Sequence, residues 1–485
     1  MRKAIVGAGV VVLIVVASFW GSCPTWAFEA VEWNDTQLSV YGFLRNNAGV
    51  FIDSQPFAEN GNQLATARTW LRGNLDWKFS DQLRMGAVAQ FVYEPQYTVE
   101  DGAAGEHNGA LSKPDGREYS EYDDVNDVLR EVYLEWKPAK GTSLKIGRQI
   151  AIWGEALTER VGDVIHPEDS RFTLAFANLE DTRIPSYMIR GMQSFEEINS
   201  SIELIFNPNF VDPQYRANRT PQWALPTLGE AGQRFAIDPG VFRFLPPFVV
   251  SLMHEEFPDV DDLRYGLRTG TFLGGYQFGI SYFHTQEYNA VLRTTDFALI
   301  HPDEDILGVY MNKNLPWPGV VRAEGIYVPN KPINTLDPTV VGGYVTRDYF
   351  KYALAYDLNS FFYFQWHNTA PFDVTIEHVG EFVPDNRDVE YGIYSNAIKQ
   401  WNPKFNARVS TNWLYNLIAT ELVVSYAPWG NSGLIMPAVK YTPPWLNQKL
   451  SFELRYINVY GDNDFEGLGV LRSKDMVVLT TQFDW

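Results

Sequence analysis

The feature that constrains this chain most is an alternation of apolar and polar residues, repeated in segments of roughly ten residues. Between positions 67 and 79 the odd positions read Ala67, Thr69, Leu71, Gly73, Leu75, Trp77 and Phe79. The even positions carry Arg68, Trp70, Arg72, Asn74, Asp76 and Lys78. Successive side chains of a strand point to opposite faces, so one face here is greasy and the other charged. After Ser80-Asp81 the pattern restarts, with Leu83, Met85, Ala87, Ala89, Phe91 and Tyr93 opposite Gln82, Arg84, Gln90 and Glu94. Two such runs across so short a link make a hairpin.

The same alternation returns at 262–269, 276–282 and 449–456, and more weakly near 36–48, 127–137, 142–152, 184–192, 200–206, 305–313, 319–328, 346–357, 360–367, 389–400, 404–414, 418–427 and 433–441. These runs exceed the usual strand of five or six residues and match the ~9–11 that a tilted transmembrane strand needs. Aromatic residues gather at their ends, as at Trp77, Phe79, Phe91, Tyr93, Trp136, Trp413 and Trp485. Short links such as Ser80-Asp81, 138–141 and 315–319 alternate with long acidic ones such as 95–126 and 207–261. The expected fold is all-β: a transmembrane antiparallel up-and-down β-barrel with inserted extracellular loops. The count of candidate strands comes out odd. Termini on one side demand an even number, which leaves 16 or 18.

Orientation follows from cost. Arg or Lys at the lipid midplane costs ~2–4 kcal/mol, so a strand bearing Arg68, Arg72, Asp76 and Lys78 must turn them to the lumen. The mean hydropathy of −0.22 excludes a bundle of membrane helices. The formal net charge of −20 argues against nucleic acid as a partner. A single cysteine, Cys23, permits no intramolecular disulfide.

The ends of the chain agree with this. Arg2 and Lys3 precede an apolar run to Trp20, and Thr25-Trp26-Ala27 offers a cleavage site. Residues 1–27 therefore read as a secretory signal peptide, with an uncleaved anchor as the alternative, and 28–485 as one barrel domain. At the other end Val477, Leu479, Thr481, Phe483 and Trp485 alternate to a terminal aromatic. This resembles the final strand of outer-membrane proteins, which implies recognition by the barrel-assembly machinery through Phe483 and Trp485. The other partners expected are outer-membrane lipids, lipopolysaccharide and a small-molecule solute.

Residues 142–155 read Thr-Ser-Leu-Lys-Ile-Gly-Arg-Gln-Ile-Ala-Ile-Trp-Gly-Glu, and a stretch without strand character follows to about 183. Gly147, Arg148, Gln149, Trp153, Gly154, Glu155, Pro167 and Asp169 match a block of a little-characterised family of Gram-negative outer-membrane proteins, known only as a domain of unknown function. His166 stands where that family usually has Asn. The resemblance implies a barrel that accompanies RND-type export systems and moves apolar or amphipathic molecules. From the residues themselves, the mixed-charge stretch 153–183 is long enough to fold into the mouth as a constriction, or else to remain a solvated loop. Arg148 interrupts the apolar row of Leu144, Ile146, Ile150 and Ile152, which predicts a bulge or an inward bend. The residues expected to line the pore are Arg68, Arg72, Asp76 and Arg84, with Arg148, Glu155, Asp163 and Asp169 at the constriction.

No phosphate loop, serine elbow or His-x-x-x-His spacing occurs, so no cofactor and no metal site is expected. His284 could serve a lipid-hydrolase barrel, and 462–467 resembles an incomplete calcium loop. The function expected is a porin-like channel for polar or amphipathic small solutes. The alternatives are a barrel enzyme and a structural barrel plugged by 153–183 and 207–261.

Overall fold

The computed structural model describes residues 31–33, 36–52, 64–93, 128–169, 180–208, 210–211, 254–258, 262–335, 337, 339–360, 370–384, 390–391, 399–462, 467–472 and 474–485. The candidate signal peptide, most of the long links 95–126 and 207–261, and nearly all of 462–467 lie outside them.

Eighteen long strands form one antiparallel sheet that closes on itself. They are β1 (Thr36–Phe51), β2 (Leu64–Lys78), β3 (Leu83–Tyr93), β4 (Leu129–Trp136), β5 (Thr142–Gln149) and β6 (Ser186–Phe195). Next come β7 (Ser200–Asn207), β8 (Arg264–Leu273), β9 (Tyr276–Gln286), β10 (Asp303–Asn314), β11 (Val320–Thr335) and β12 (Tyr344–Ser360). The last six are β13 (Phe372–Phe382), β14 (Trp401–Trp413), β15 (Ile418–Ala427), β16 (Ser432–Tyr441), β17 (Leu450–Tyr460) and β18 (Met476–Asp484). Each strand pairs with its neighbours in sequence, and β1 pairs with β18 from Phe43↔Asp484 to Phe51↔Met476. Closure satisfies every edge, which lipid could not do.

The strand count agrees with the larger of the two expected values, but the individual strands differ in one place. Strand β13 was not expected. Its outward row of Phe372, Val374, Ile376, His378, Gly380 and Phe382 is broken by a histidine and a glycine, which hides the alternation. The expected strand 360–367 lies outside the described residues apart from Ser360. Of 389–400, the described part holds only the two-residue strand Glu390–Tyr391.

The links at one end are short: 79–82, 137–141, 196–199, 274–275, 315–319 and 414–417. Those at the other end include 94–128, 150–185 and 208–263. Short turns mark the periplasmic end and long loops the extracellular one.

Register fixes the faces. Ile189, Leu204, Leu267, Ile280, Leu307, Val309, Leu354 and Ile376 point outward and are exposed. Tyr187, Tyr265, Phe350, Phe382 and Trp401 ring the extracellular end, and Trp136, Phe195, Tyr276, Tyr441 and Trp445 the periplasmic end. An outward apolar band between aromatic girdles is the surface of an outer-membrane barrel. Arg72, Arg268, Glu324, Asp357 and Glu377 alternate with these residues and face the lumen.

A lipid-facing cation one position from a lumen-facing one measures this asymmetry. Ile280→Arg should lower unfolding free energy in bilayers by ~2–4 kcal/mol. Ser281→Arg, at the same depth on the lumen side, should cause no comparable loss in equilibrium denaturation.

Candidate functional site

The described parts of the 150–185 link, residues 150–169 and 180–185, do not stay at the rim. They enter the lumen and are held on both sides by wall side chains. How they enter is written in the residues around Trp153. Gly147 has φ +131°, and a Cβ there would lie 2.3 Å from the Val132 carbonyl oxygen. The Gln149 amide donates to the carbonyls of Lys145 (3.2 Å) and Met188 (3.1 Å), fixing the end of β5. Trp153 then turns inward and packs edge-on to Phe283, with centroids 5.9 Å apart, in a buried cluster with Ile165, Met188, Ile205 and Ile306. Its indole N–H donates to Glu203 at 3.0 Å. Gly266 lies beneath the ring, where a Cβ would come within 2.6 Å of it.

Beyond Trp153 two wall carboxylates take up the loop's backbone. Glu324 on β11 accepts the N–H groups of Glu155 (2.5 Å) and Gly162 (3.1 Å). Glu377 on β13 accepts those of Leu157 (3.0 Å) and Thr158 (3.2 Å), and the Thr158 hydroxyl as well. Asn406 on β14 donates to that hydroxyl at 2.7 Å. Loop charges reach the wall too. Glu155 pairs with Arg268 at 3.0 Å, and its carbonyl accepts from Arg322. Glu159 pairs with Lys404 and Lys351.

The returning arm docks on the opposite wall. Asp181 pairs with Arg72 at 2.6 Å and Arg45 at 3.4 Å, while Arg130 donates to the carbonyls of Glu180 and Arg183. Burial raises the Asp181 carboxyl's pKa, but Arg72 and Arg45 outweigh it and hold the group below the usual carboxylate range.

The two arms are tied together. Asp163 is paired with Arg160 (3.0 Å) and Arg183 (2.7 Å), and Asp169 N–H donates to Thr182 O at 2.6 Å. His166 bridges the entry and exit of the loop. Its Nε2 accepts the Ala151 N–H at 2.8 Å, so its Nδ1 carries the proton and donates to Ile184 O at 3.1 Å. Burial pushes its pKa down to about 3, against the opposing pull of Asp163. The ring is neutral.

Apart from Arg148, the expected site residues divide into three groups. Glu155, Asp163 and Asp169 lie in the inward-folded loop. Arg68 and Arg72 face the lumen on β2, with Arg68 fully buried beside the Trp70 ring, 5.9 Å from its centroid. Asp76 and Arg84 also face the lumen and pair with each other, but at the periplasmic mouth.

Arg148 is placed differently from the expectation. Register runs unbroken through it, opposite Val132 and Tyr187, so it stands in the outward row. Its guanidinium turns back to the carbonyls of Leu129 (3.1 Å) and Pro185 (3.4 Å). The apolar row ends at the rim, where those carbonyls offer the cation partners and neither a bulge nor a bend is required.

Sequence reasoning missed Glu324, Glu377 and Asn406, whose partners are backbone amides and a hydroxyl with no pattern of their own. It also missed a second inward segment. The short turn of 3₁₀ helix Gly467–Leu471 packs Leu468 and Leu471 on inward-facing Val423, Leu434, Met436, Ile457, Met476 and Val478, filling the extracellular half of that side with an apolar cluster.

This architecture defines a class: a closed 18-strand outer-membrane β-barrel of porin type with a loop folded across its lumen. No family model and no curated protein matches the chain. Solved structures are similar to it over most of its length. Acinetobacter baumannii OccAB3 is 10% identical, with 92% of this chain and 99% of that chain covered at a TM-score of 0.50. Acinetobacter baumannii OccAB2 is 11% identical over 92% and 98%, at 0.49, and Pseudomonas aeruginosa OccK9 is 11% identical over 92% and 97%, at 0.48.

The His166 bridge carries a pH signature. A group whose folded pKa is depressed from 6.5 to about 3 contributes stability above 6.5 that is lost as pH falls toward 3. The thermal midpoint of the wild type should therefore drop relative to His166→Gln between about pH 7 and pH 4. Parallel pH curves for the two proteins would contradict the neutral bridge.

Proposed function

We propose that the protein is an outer-membrane channel for small polar or amphipathic solutes, with 153–183 as its constriction. The observation that carries this reading is the loop itself, strapped by Glu324 and Glu377 on one side and by Arg45 and Arg72 on the other. An 18-strand barrel is wide enough for an aqueous bore, and an inward loop of this kind narrows it. Arg68, Arg72, Glu155, Asp163 and Asp169 act mainly by shaping and fixing the narrowing. Because most are already paired, the transverse field comes from the pattern of pairs rather than from free charges.

The reading extends to the chain's ends and surroundings. Residues 1–27 serve as an export signal, and Phe483 and Trp485 as the mark for barrel assembly. The girdle at the extracellular rim meets lipopolysaccharide. The Gly147–Glu155 block, whose residues steer the loop into the lumen, supports membership in the uncharacterised outer-membrane family that it resembles. A channel rather than an enzyme is favoured at His284. Its Nδ1 contacts Asp305 at 2.9 Å and its ring stacks on Tyr265, all on the outward rim, and none of these contacts is a serine hydroxyl.

Conductance tests the reading. Purified protein in planar bilayers should give discrete steps with a modest preference for cations, in keeping with the excess of acid. In Glu324→Gln/Glu377→Gln, a neutral amide replaces a carboxylate that gathers several donors, and each charged hydrogen bond lost is worth ~1.5–3 kcal/mol. The loop should then leave the lumen and single-channel conductance should rise. Silent bilayers from correctly folded protein would refute the channel.

A further inference from the structure

Below the loop, toward the periplasm, the lumen wall of β12, β13 and β14 carries two successive polar rows. The upper row is Asp357, Thr375 and Arg408, and the lower is Asn359, Asp373 and Ser410. They line a half-open cavity of about 440 Å³. Leu157 of the loop lines it from above with 47% of its surface exposed, an apolar side chain over a polar floor.

The charges of these rows are unequal in their partners. Arg322 makes a two-point contact with Asp357, at 2.5 and 3.0 Å, and Thr375 adds a hydroxyl at 2.7 Å. Arg408 pairs with Glu421 at 2.6 Å. Asp373 is exposed and, among the described residues, makes no ion pair; its carboxylate accepts from the Asn359 amide. The cavity therefore offers one uncompensated carboxylate below an apolar side chain, in a volume suited to a small organic molecule.

We propose that this cavity is a solute subsite for a small amphipathic organic cation. Asp373 receives the ammonium group, and Leu157 covers the apolar body as it passes the loop. The proposal rests on the channel reading and deepens it by naming a solute class. A carboxylate solute would meet Asp373 with like charge. A purely polar cation would gain nothing from Leu157.

The test uses full-length protein in planar bilayers with phenethylammonium, ethylammonium and phenylacetate as probes, and KCl conductance as the internal control. In the wild type, reversal potentials should rank permeation as phenethylammonium over ethylammonium, with phenylacetate last. Asp373→Asn should lower phenethylammonium permeability about three-fold, the worth of one exposed ion pair. Leu157→Ser should lower it about three-fold against ethylammonium, the worth of roughly 30 Å² of apolar contact. Leu157→Ser leaves the backbone N–H that Glu377 holds. Both variants should still give discrete steps in KCl, which reports a folded and open channel. A conducting wild type that ranks the two amines equally, or variants whose amine permeabilities match those of the wild type, would overturn the subsite and leave the channel standing. A wild type silent in KCl would overturn both.

Discussion

The rest of the structure depends on the inability of hydrocarbon to satisfy a polar group. It forces the sheet to close between Phe43–Phe51 and Met476–Asp484. It also sorts each strand's side chains, because charges such as Arg72, Arg268 and Glu324 have only the lumen in which to go. Strand length, aromatic girdles and the short periplasmic turns follow from the thickness of the same medium. The exceptions lie where the medium changes. Among the outward-facing charges, Arg148 and Asp305 sit at the extracellular rim against carbonyls and a phenol hydroxyl, and Lys313 sits at the periplasmic end over the Tyr276 ring.

Once the charges are gathered inside, they must be neutralised there or held by hydrogen bonds, since a buried unpaired charge is costly. The loop supplies what the wall lacks. Glu324 and Glu377 would be isolated carboxylates without the amides of 155–162. Arg45 and Arg72 would be neighbouring cations without Asp181. The wall in turn satisfies amides that a non-helical, non-strand segment leaves open. Wall and loop thus complete one another's polar inventory, and the loop is a structural part of the barrel.

The barrel was legible in the sequence because the lipid writes its demand at every second residue. The Leu71 and Ile280 rows could be read without any structure. β13 was not legible, since His378 and Gly380 interrupt its outward row and Glu377 faces inward among them. Rim strands blur for the same reason that Arg148 misled: near the carbonyl-rich edge a cation in the apolar row costs little. The candidate site was half legible. A mixed-charge stretch of 153–183 can be recognised as a loop with something to bind. What it binds depends on barrel curvature, which brings β1, β2, β8, β11, β13 and β14 around one segment across sequence separations that no local pattern records. The apolar turn at Leu468 and Leu471 was hidden likewise, because a few residues of 3₁₀ helix carry no period long enough to read.

In the proposed channel, the two inward segments together determine where selectivity can reside. The 467–471 turn fills the extracellular half beside β15–β18 with apolar side chains, and the Trp153 cluster fills it beside β6–β10. Toward the periplasm the wall carries paired charges: Asp76 with Arg84, Asp357 with Arg322, and Glu421 with Arg408 and Arg455. Pairing cancels most of the field at a distance, so a solute there responds to contacts rather than to long-range steering. In such a lumen an unpaired group has influence out of proportion to its charge. That places discrimination at the junction of Leu157 and the polar rows, where an apolar side chain and an uncompensated carboxylate face the same space.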